Sequence, residues 1–258
     1  MAGVARHLTG RAFGAGLCLV LAVPVLSPGP ASAQAQNGTW YRPLVTGGRS
    51  FPVLLSARRR WLNWRDTYGA PRMRFEGGVW KQTGVHQGID IFAESGAPVV
   101  SISSGIVENA GWTFYSGRRV GIRDGSGRYW FYAHLSAISP SMVKGATVKP
   151  GDLLGLLGSS GYGPEPTEDE FPPHLHFGLQ NGTRWENPEP MLRRLYEAAV
   201  AHVREARRQS IAIRKRIALL ESRSTSPAAP DPGARQRLAA RLKSELAAQG
   251  PPTFDGFR

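Results

Sequence analysis

Between positions 61 and 187 the apolar residues fall in short runs broken by glycine, proline and polar turn residues. This is the pattern of half-buried and fully buried strands rather than of helices. Residues 97–103 (APVVSIS) and 105–112 (GIVENAGW) are two such runs. Residues 120–123 and 128–134, joined by Asp124-Gly125-Ser126-Gly127, predict a β-hairpin. Residues 148–161 (VKPGDLLGLLGSSG) place Leu and Val between glycine turns, and Trp185-Glu186-Asn187-Pro188 closes the region. From Pro188 the period changes. Leu192, Tyr196, Ala199, Val203, Ala206, Ser210, Ile213, Ile217 and Leu220 recur at alternating intervals of four and three, a helical seam over 191–221 with one polar break at Ser210. A Pro-rich loop (222–233) separates it from a second amphipathic segment, 234–249, with Leu238, Leu242 and Leu246 on one stripe. The pattern therefore predicts a mainly β fold, an antiparallel sandwich or half-barrel over 61–190, followed by a C-terminal helical hairpin and a tail, 250–258. Residues 34–60 read as a lead segment with one strand, 51–55, and a solvated turn at Arg58-Arg59-Arg60.

The first residues have a different logic. Arg6 and Arg11 precede an apolar run of about fifteen residues, in the range of a signal peptide and short for a membrane span. Ala31 and Ala33 then offer small residues, which predicts cleavage after Ala33 and export to the periplasm or cell envelope. The sole cysteine, Cys18, lies in the apolar run, so residues 34–258 contain none. No disulfide or thiolate is available there, and a metal site has to use His, Asp and Glu. The 31 glycines and 20 prolines suit a turn-rich fold. Of the net charge of +13, +7 falls from Pro188 onward. A partner rich in phosphate or carboxylate follows from this, and an exported protein has little call for nucleic acid.

Candidate chemistry lies in three motifs. In "PPHLHF", His174 and His176 fall on one face of a strand while Leu175 points to the core. Two neighbouring imidazoles have four ring nitrogens to satisfy, and a structural hydrogen-bonded pair is as good a reading of this motif alone as a ligand pair. In "GVHQGIDIF", a strand would align His86, Gly88 and Asp90 on one face, with the glycine leaving a gap that a metal bridges, and Ile89 and Ile91 inside. In "YWFYAHLS", His134 ends the hairpin strand and shares a face with Tyr132, opposite Phe131 and Ala133. These motifs hold four of the five histidines that follow the predicted cleavage site; the fifth, His202, lies on the basic helix. A catalytic zinc takes three protein ligands and an open position. His86, Asp90 and His176 would supply two nitrogens and one oxygen, with His174 and His134 nearby.

The ordered set H-x-x-x-D, Y-x-H-L and H-L-H-F resembles that of the lysostaphin-type zinc metallopeptidases, the LytM-domain family. "DTYGAPR" (66–72), "GIDIFAESGAPVVSISSGIV" and "VKPGDLLGLLGSSG" are similar to stretches around that family's site, and the likeness spans about 66–190. Gln87 stands where many relatives have Glu. The resemblance implies a compact antiparallel β-domain with an open groove, one Zn2+ per chain on His86, Asp90 and His176, and His134 and His174 beside it. It also implies hydrolysis of peptide cross-links in peptidoglycan by a water activated at the metal and assisted by one of these two histidines. A catalytically inactive LytM-like regulator that activates a cell-wall amidase is the alternative, and a secreted protease for Gly-rich proteins is a third reading. Beyond peptidoglycan, the basic helix could pack on the β-domain, mediate self-association through 192–220, or hold anionic wall polymers or a membrane surface. The acidic loop 163–171 is read as solvated, or as a groove wall. Tyr162, Trp112, Phe114 and Tyr115 are candidates for the groove rim.

Overall fold

A computed structural model describes residues 40–56, 62–224 and 231–248 of the 258-residue chain. The expected signal peptide with Cys18 and the cleavage site after Ala33, the turn Arg58–Arg60, residues 225–230 of the Pro-rich loop and the tail lie outside the described residues. None of the described helices is long and apolar enough to cross a membrane.

The architecture is mainly β with antiparallel pairing, followed by two helices, as the apolar pattern predicts. In chain order the strands are β1 (Val45–Thr46), β2 (Arg49–Ser50), β3 (Pro71–Glu76), β4 (Val79–Val85), β5 (Ile89–Phe92), β6 (Pro98–Val100), β7 (Gly105–Thr113), β8 (Gly117–Arg123), β9 (Arg128–Ile138), β10 (Thr147–Val148), β11 (Leu153–Leu157), β12 (His174–Asn181) and β13 (Arg184–Glu186). The helices are α1 (Glu189–Ser224) and α2 (Pro232–Ala248). Two ribbons, β1–β2 and β3–β4, stand apart from a nine-stranded sheet. Along that sheet the order is β10-β7-β8-β9-β11-β6, with β12 also pairing β9, β5 and β13.

The sheet branches at β9. One edge of β9 faces β8; the other faces β12 from Arg128 to Ala133 and β11 from Leu135 to Ile138. At the change of partner stands His134, whose φ of 64° lies in the left-handed region, rare for a residue with a Cβ. The register with β8 slips at the same place. This β-bulge overturns the strict alternation expected of the strand. Tyr132 and Leu135 both enter the core, whereas the His134 ring lies 4.8 Å from that of His174 and 6.0 Å from that of His176. His134 therefore does not share the face of Tyr132. Phe131, expected on the opposite face, is the residue whose ring approaches His176, at 6.0 Å. Nor does β9 end at His134; it continues to Ile138.

The predicted hairpin turn at 124–127 is present and has a local cause. The Asp124 carboxylate accepts hydrogen bonds from the backbone N–H groups of Ser126 and Arg128 and from Trp130 Nε1. On β12, alternation holds. Leu175, Phe177 and Leu179 are buried in the core with Ile89 and Ile91 of β5, and His174 and His176 take the other face.

The lead segment differs from expectation. Residues 51–55 form no continuous strand, because Pro52 interrupts the ladder. They lie along the edge of β6 instead, with Leu54 N–H donating to Pro98 O and Val100 N–H to Pro52 O. Phe51, Val53 and Leu54 are buried there. Just before α1 the Asn187 side chain accepts from Glu189 N–H, and Pro188 O accepts from Leu192 N–H, the first bond of the helix. Its seam has two partners rather than one. Leu192, Leu195 and Ala199 join the β core, and Tyr196 packs at 5.3 and 4.8 Å from the rings of Phe51 and Trp64. Farther along, Ile217 is buried near α2, where Ala239 and Leu242 are buried and Lys243 pairs with Glu221 at 2.7 Å.

Leu175 is fully buried directly between the two histidines of β12. Leu175→Ala is expected to lower stability by about 2–5 kcal/mol through the cavity it leaves, as measured by denaturant unfolding.

Candidate metal centre

Three elements bring three electron-rich atoms to one point. In the β12–β5 pairing His176 lies directly opposite Asp90, so both side chains rise on the same face. His86 arrives from outside any strand, in the short connection between β4 and β5. The expected single strand through positions 86, 88 and 90 is therefore broken. What holds His86 is its backbone, which exchanges hydrogen bonds with Gly69 N–H and Ala70 O in the loop before β3. Gly88 does leave a gap, but the His176 ring fills it. A Cβ on residue 88 would stand 2.8 Å from His176 Nε2 and 2.6 Å from Phe177 O.

The result is a nearly equilateral triangle. His86 Nε2 lies 3.0 Å from His176 Nδ1 and 3.1 Å from Asp90 Oδ1, and His176 Nδ1 lies 2.9 Å from the same oxygen. His86 Nδ1 is 3.1 Å from Thr67 O and donates its proton there, which leaves Nε2 as a bare lone pair. One proton on His176 Nδ1 is then all that can be shared among three acceptors. Such a site is electrostatically suited to a cation. Ligand bonds of about 2.0–2.2 Å would put tetrahedral zinc ligands roughly 3.3–3.6 Å apart, so the triangle needs to open by only a few tenths of an ångström. Among the described residues, His86, Asp90 and His176 form the one such group of potential metal ligands.

Two more imidazoles border the triangle. His174 Nε2 is 3.8 Å from Asp90 Oδ1, and its Nδ1 donates to Pro172 O at 2.8 Å. His134 Nδ1 donates to Ser160 O at 2.8 Å. In both residues the tethered Nδ1–H leaves Nε2 as an acceptor. Burial pushes both imidazoles below the usual histidine range. For His134 the value falls to about 3, with the neighbouring His174 adding to the effect. For His174 the backing carbonyl of Pro172 and the charge of Asp90 partly oppose burial. Asp90 is the reverse case. Burial raises its pKa, but the hydrogen bonds to His176 and His86 outweigh this and hold the carboxyl well below the usual carboxylate range.

The surroundings contain residues that sequence reasoning did not single out. Arg72 of β3 places its guanidinium 3.3 Å from Asp90 Oδ2, the oxygen turned away from the triangle. Phe171 packs its ring 4.7 Å from His134 and 5.1 Å from His174. The contacts Arg72–Asp90 and Phe171–His134 join residues 18 and 37 positions apart and have no local signal; only Phe171–His174, three residues apart, is a local neighbour. Of the rim candidates, Tyr162 stacks on His134 at 6.2 Å and Tyr115 follows at 5.9 Å, both half-exposed. Phe114 packs edge-on against Tyr115, and Trp112 donates to Gly163 O. In the acidic loop, Glu165 and Glu168 pair with Arg118, and Asp169 bonds to Ser159. His202 lies on α1, away from this cluster.

Residues 84–188 match the model of Peptidase family M23. The chain is 41% identical to the L-Ala--D-Glu endopeptidase of Bacillus subtilis (strain 168) over 157 residues, 59% of this chain and 45% of that protein. Identity to lysostaphin of Staphylococcus simulans is 38% over 118 residues, 43% of this chain and 22% of lysostaphin. The chain thus spans less than half the length of these curated relatives. Among solved structures, the catalytic domain of lysostaphin from Staphylococcus simulans is 32% identical, with 51% of this chain and 92% of that domain covered and a TM-score of 0.41.

Gly88→Ala is expected to displace the His176 ring and weaken divalent-metal binding by roughly 10–100-fold, as measured by competition with a chromophoric chelator. A second expectation concerns protons. The depressed pKa of His134 means that the unfolded chain binds more protons than the folded one between its value of about 3 and the ordinary one near 6.5. Stability of the chelator-treated protein should therefore fall as the pH drops through this window. His134→Asn should make the fall shallower in denaturant titrations at a series of pH values.

Proposed function

Residues 84–188 belong to peptidase family M23, and from that premise we propose that the chain is an exported endopeptidase that hydrolyses peptide cross-links of peptidoglycan with the help of zinc. The observation that carries the reading is the triangle of His86, Asp90 and His176, flanked by two imidazoles whose Nδ1–H groups are tied to backbone carbonyls. Zinc held by these three residues would supply Lewis acidity and bring the pKa of water to about 7. A two-nitrogen, one-oxygen donor set suits this ion.

The rest of the chemistry belongs to the chain. His134 and His174 are neutral at physiological pH because burial disfavours their charged forms, so each offers Nε2 as a proton acceptor. Ser160 O and Pro172 O hold the tautomer and the ring orientation. After taking a proton from water, an imidazole of this pair becomes a donor toward the tetrahedral oxyanion or the leaving amine. Ionised Asp90 tempers the charge of the cation, and Arg72 holds the outer carboxylate oxygen so that Oδ1 keeps its direction. Tyr115, Tyr162 and Phe171 would provide an apolar rim for an extended peptide.

The alternative, an inactive regulator of a wall amidase, has less support, because all five polar side chains needed for hydrolysis are present and converge. The two readings separate in one experiment. Purified protein incubated with isolated sacculi should release muropeptides, detected by chromatography and mass spectrometry, and a chelator should stop the release until zinc is restored. Asp90→Asn should release none. His134→Ala should lower turnover by about 10²-fold or more with metal content unchanged. Absence of chelator-sensitive products from the wild-type protein would move the assignment to the regulator.

A further inference from the structure

The face of the sheet opposite the histidines carries a second polar feature that hydrolysis does not use. On paired β9 and β12, Phe131 and His176 lie on the groove side, while Trp130 and Leu179, opposite one another, lie on the other. Behind Trp130 and Leu179 opens a crevice of about 400 Å³, bounded by β1–β2, the start of β9, β13 and the first turns of α1. Leu179, Met191 and Leu195 form its apolar part. Three guanidinium groups line it, from Arg49, Arg128 and Arg194, with Glu186 as the one carboxylate. The Glu186 carboxylate accepts from Asn181 Nδ2, and none of the three arginines forms an ion pair among the described residues.

Arg49 has the most telling position. Its guanidinium carbon stands 4.8 Å over the Trp130 ring, a cation–π contact that sets the plane of the group. Its Nη1 is buried and has no hydrogen-bond partner among the described residues. A buried N–H of a charged group without an acceptor is costly, and a bound ion is one of the few ways in which a native protein completes such a group. Guanidinium forks match phosphate oxygens in geometry and stay charged at any physiological pH. Three of them against one carboxylate leave a local excess of positive charge.

We propose that the crevice between the β1–β2 ribbon, β9 and α1 binds a phosphate group, with Arg49, Arg128 and Arg194 as its donors and Trp130 holding Arg49 in place. The bound group is either free phosphate or the headgroup phosphate of a lipid, whose apolar portion Met191 and Leu195 could meet. Because this site lies across the sheet from the histidines, it stands independently of the proposed hydrolysis.

The test uses the full chain. Inorganic phosphate, titrated at constant ionic strength against chloride, should raise the melting temperature saturably. Arg49→Gln and Arg194→Gln should each weaken the apparent affinity roughly tenfold or more. Arg194 is exposed on α1, so its variant folds even if the Arg49 variant is destabilised. Arg216→Gln, which removes the same charge near the far end of α1, should leave the affinity unchanged. Phosphatidylcholine vesicles containing phosphatidic acid then identify the source. Vesicle binding that inorganic phosphate displaces, and that the crevice variants lose, supports the proposal with a lipid headgroup as ligand. Phosphate binding that the crevice variants lose, without such vesicle binding, supports it with free phosphate as ligand. A melting temperature indifferent to phosphate, or an Arg216→Gln variant as impaired as the crevice variants, overturns the proposal.

Discussion

Three lone-pair atoms, His86 Nε2, Asp90 Oδ1 and His176 Nδ1, are held within 2.9–3.1 Å of one another with one proton at most to share. Left to themselves, such atoms repel. Their juxtaposition has to be held by the scaffold, and the local architecture can be understood as the set of contacts that does so. Asp90 and His176 are locked by strand register, which cannot slip without exposing Ile89, Ile91, Leu175 and Phe177, all fully buried on the opposite face. His86 is locked by backbone bonds to the loop before β3 and by its Nδ1 bond to Thr67 O. That loop is itself tied down. Tyr68 hydroxyl donates to Trp185 O, and Asn187 at the start of α1 donates to Asp66. The helix that follows the β-domain thus helps to position the first histidine.

The same constraint explains the irregularity of β9. A strand that kept strict alternation would drive His134 into the core beside Tyr132. The bulge turns the imidazole to the histidine face while Leu135 returns to the core. It also coincides with the exchange of β12 for β11 along the strand's edge, so the left-handed φ at His134 serves the branching of the sheet and the placement of a side chain together. Backbone strain of this kind, about 1–3 kcal/mol for a residue with a Cβ, persists only where surrounding contacts over-determine it. Here they include His134 N–H to Ser116 O, Gly158 N–H to His134 O and the ring's own bond to Ser160 O.

Helix α1 shows how one apolar stripe can serve two partners. A seam of regular four–three spacing suggests a single long interface. Its first turns complete the β core through Leu192 and Leu195 and pack Tyr196 tilted against Phe51 and edge-on against Trp64, while its last turns meet α2. Because the first turns also border the arginine crevice, the helix takes part in the polar organisation of both faces of the sheet: Asn187 on the histidine side through Asp66, Arg194 on the other.

What the sequence by itself determined is what local chemistry controls. The change from strand to helix period at Pro188, the Asp124 turn, the inward set of Leu175 and Phe177 and the outward pair His174 and His176 all follow from side-chain alternation, turn preference and capping within a few residues. The candidate ligand types were legible too, because a chain without cysteine after position 18 leaves only imidazoles and carboxylates. Tertiary structure decided the rest. It moved His86 out of any strand, seated the His176 ring over Gly88, turned His134 away from Tyr132, brought Arg72 to Asp90 and Phe171 to His134, and left Arg49 Nη1 over Trp130 without a partner among the described residues. Each of these depends on a contact across a long stretch of chain or on a register slip between strands. Hydrophobic alternation carries no record of such events, because it specifies which face of an element is buried and not which element will lie against it.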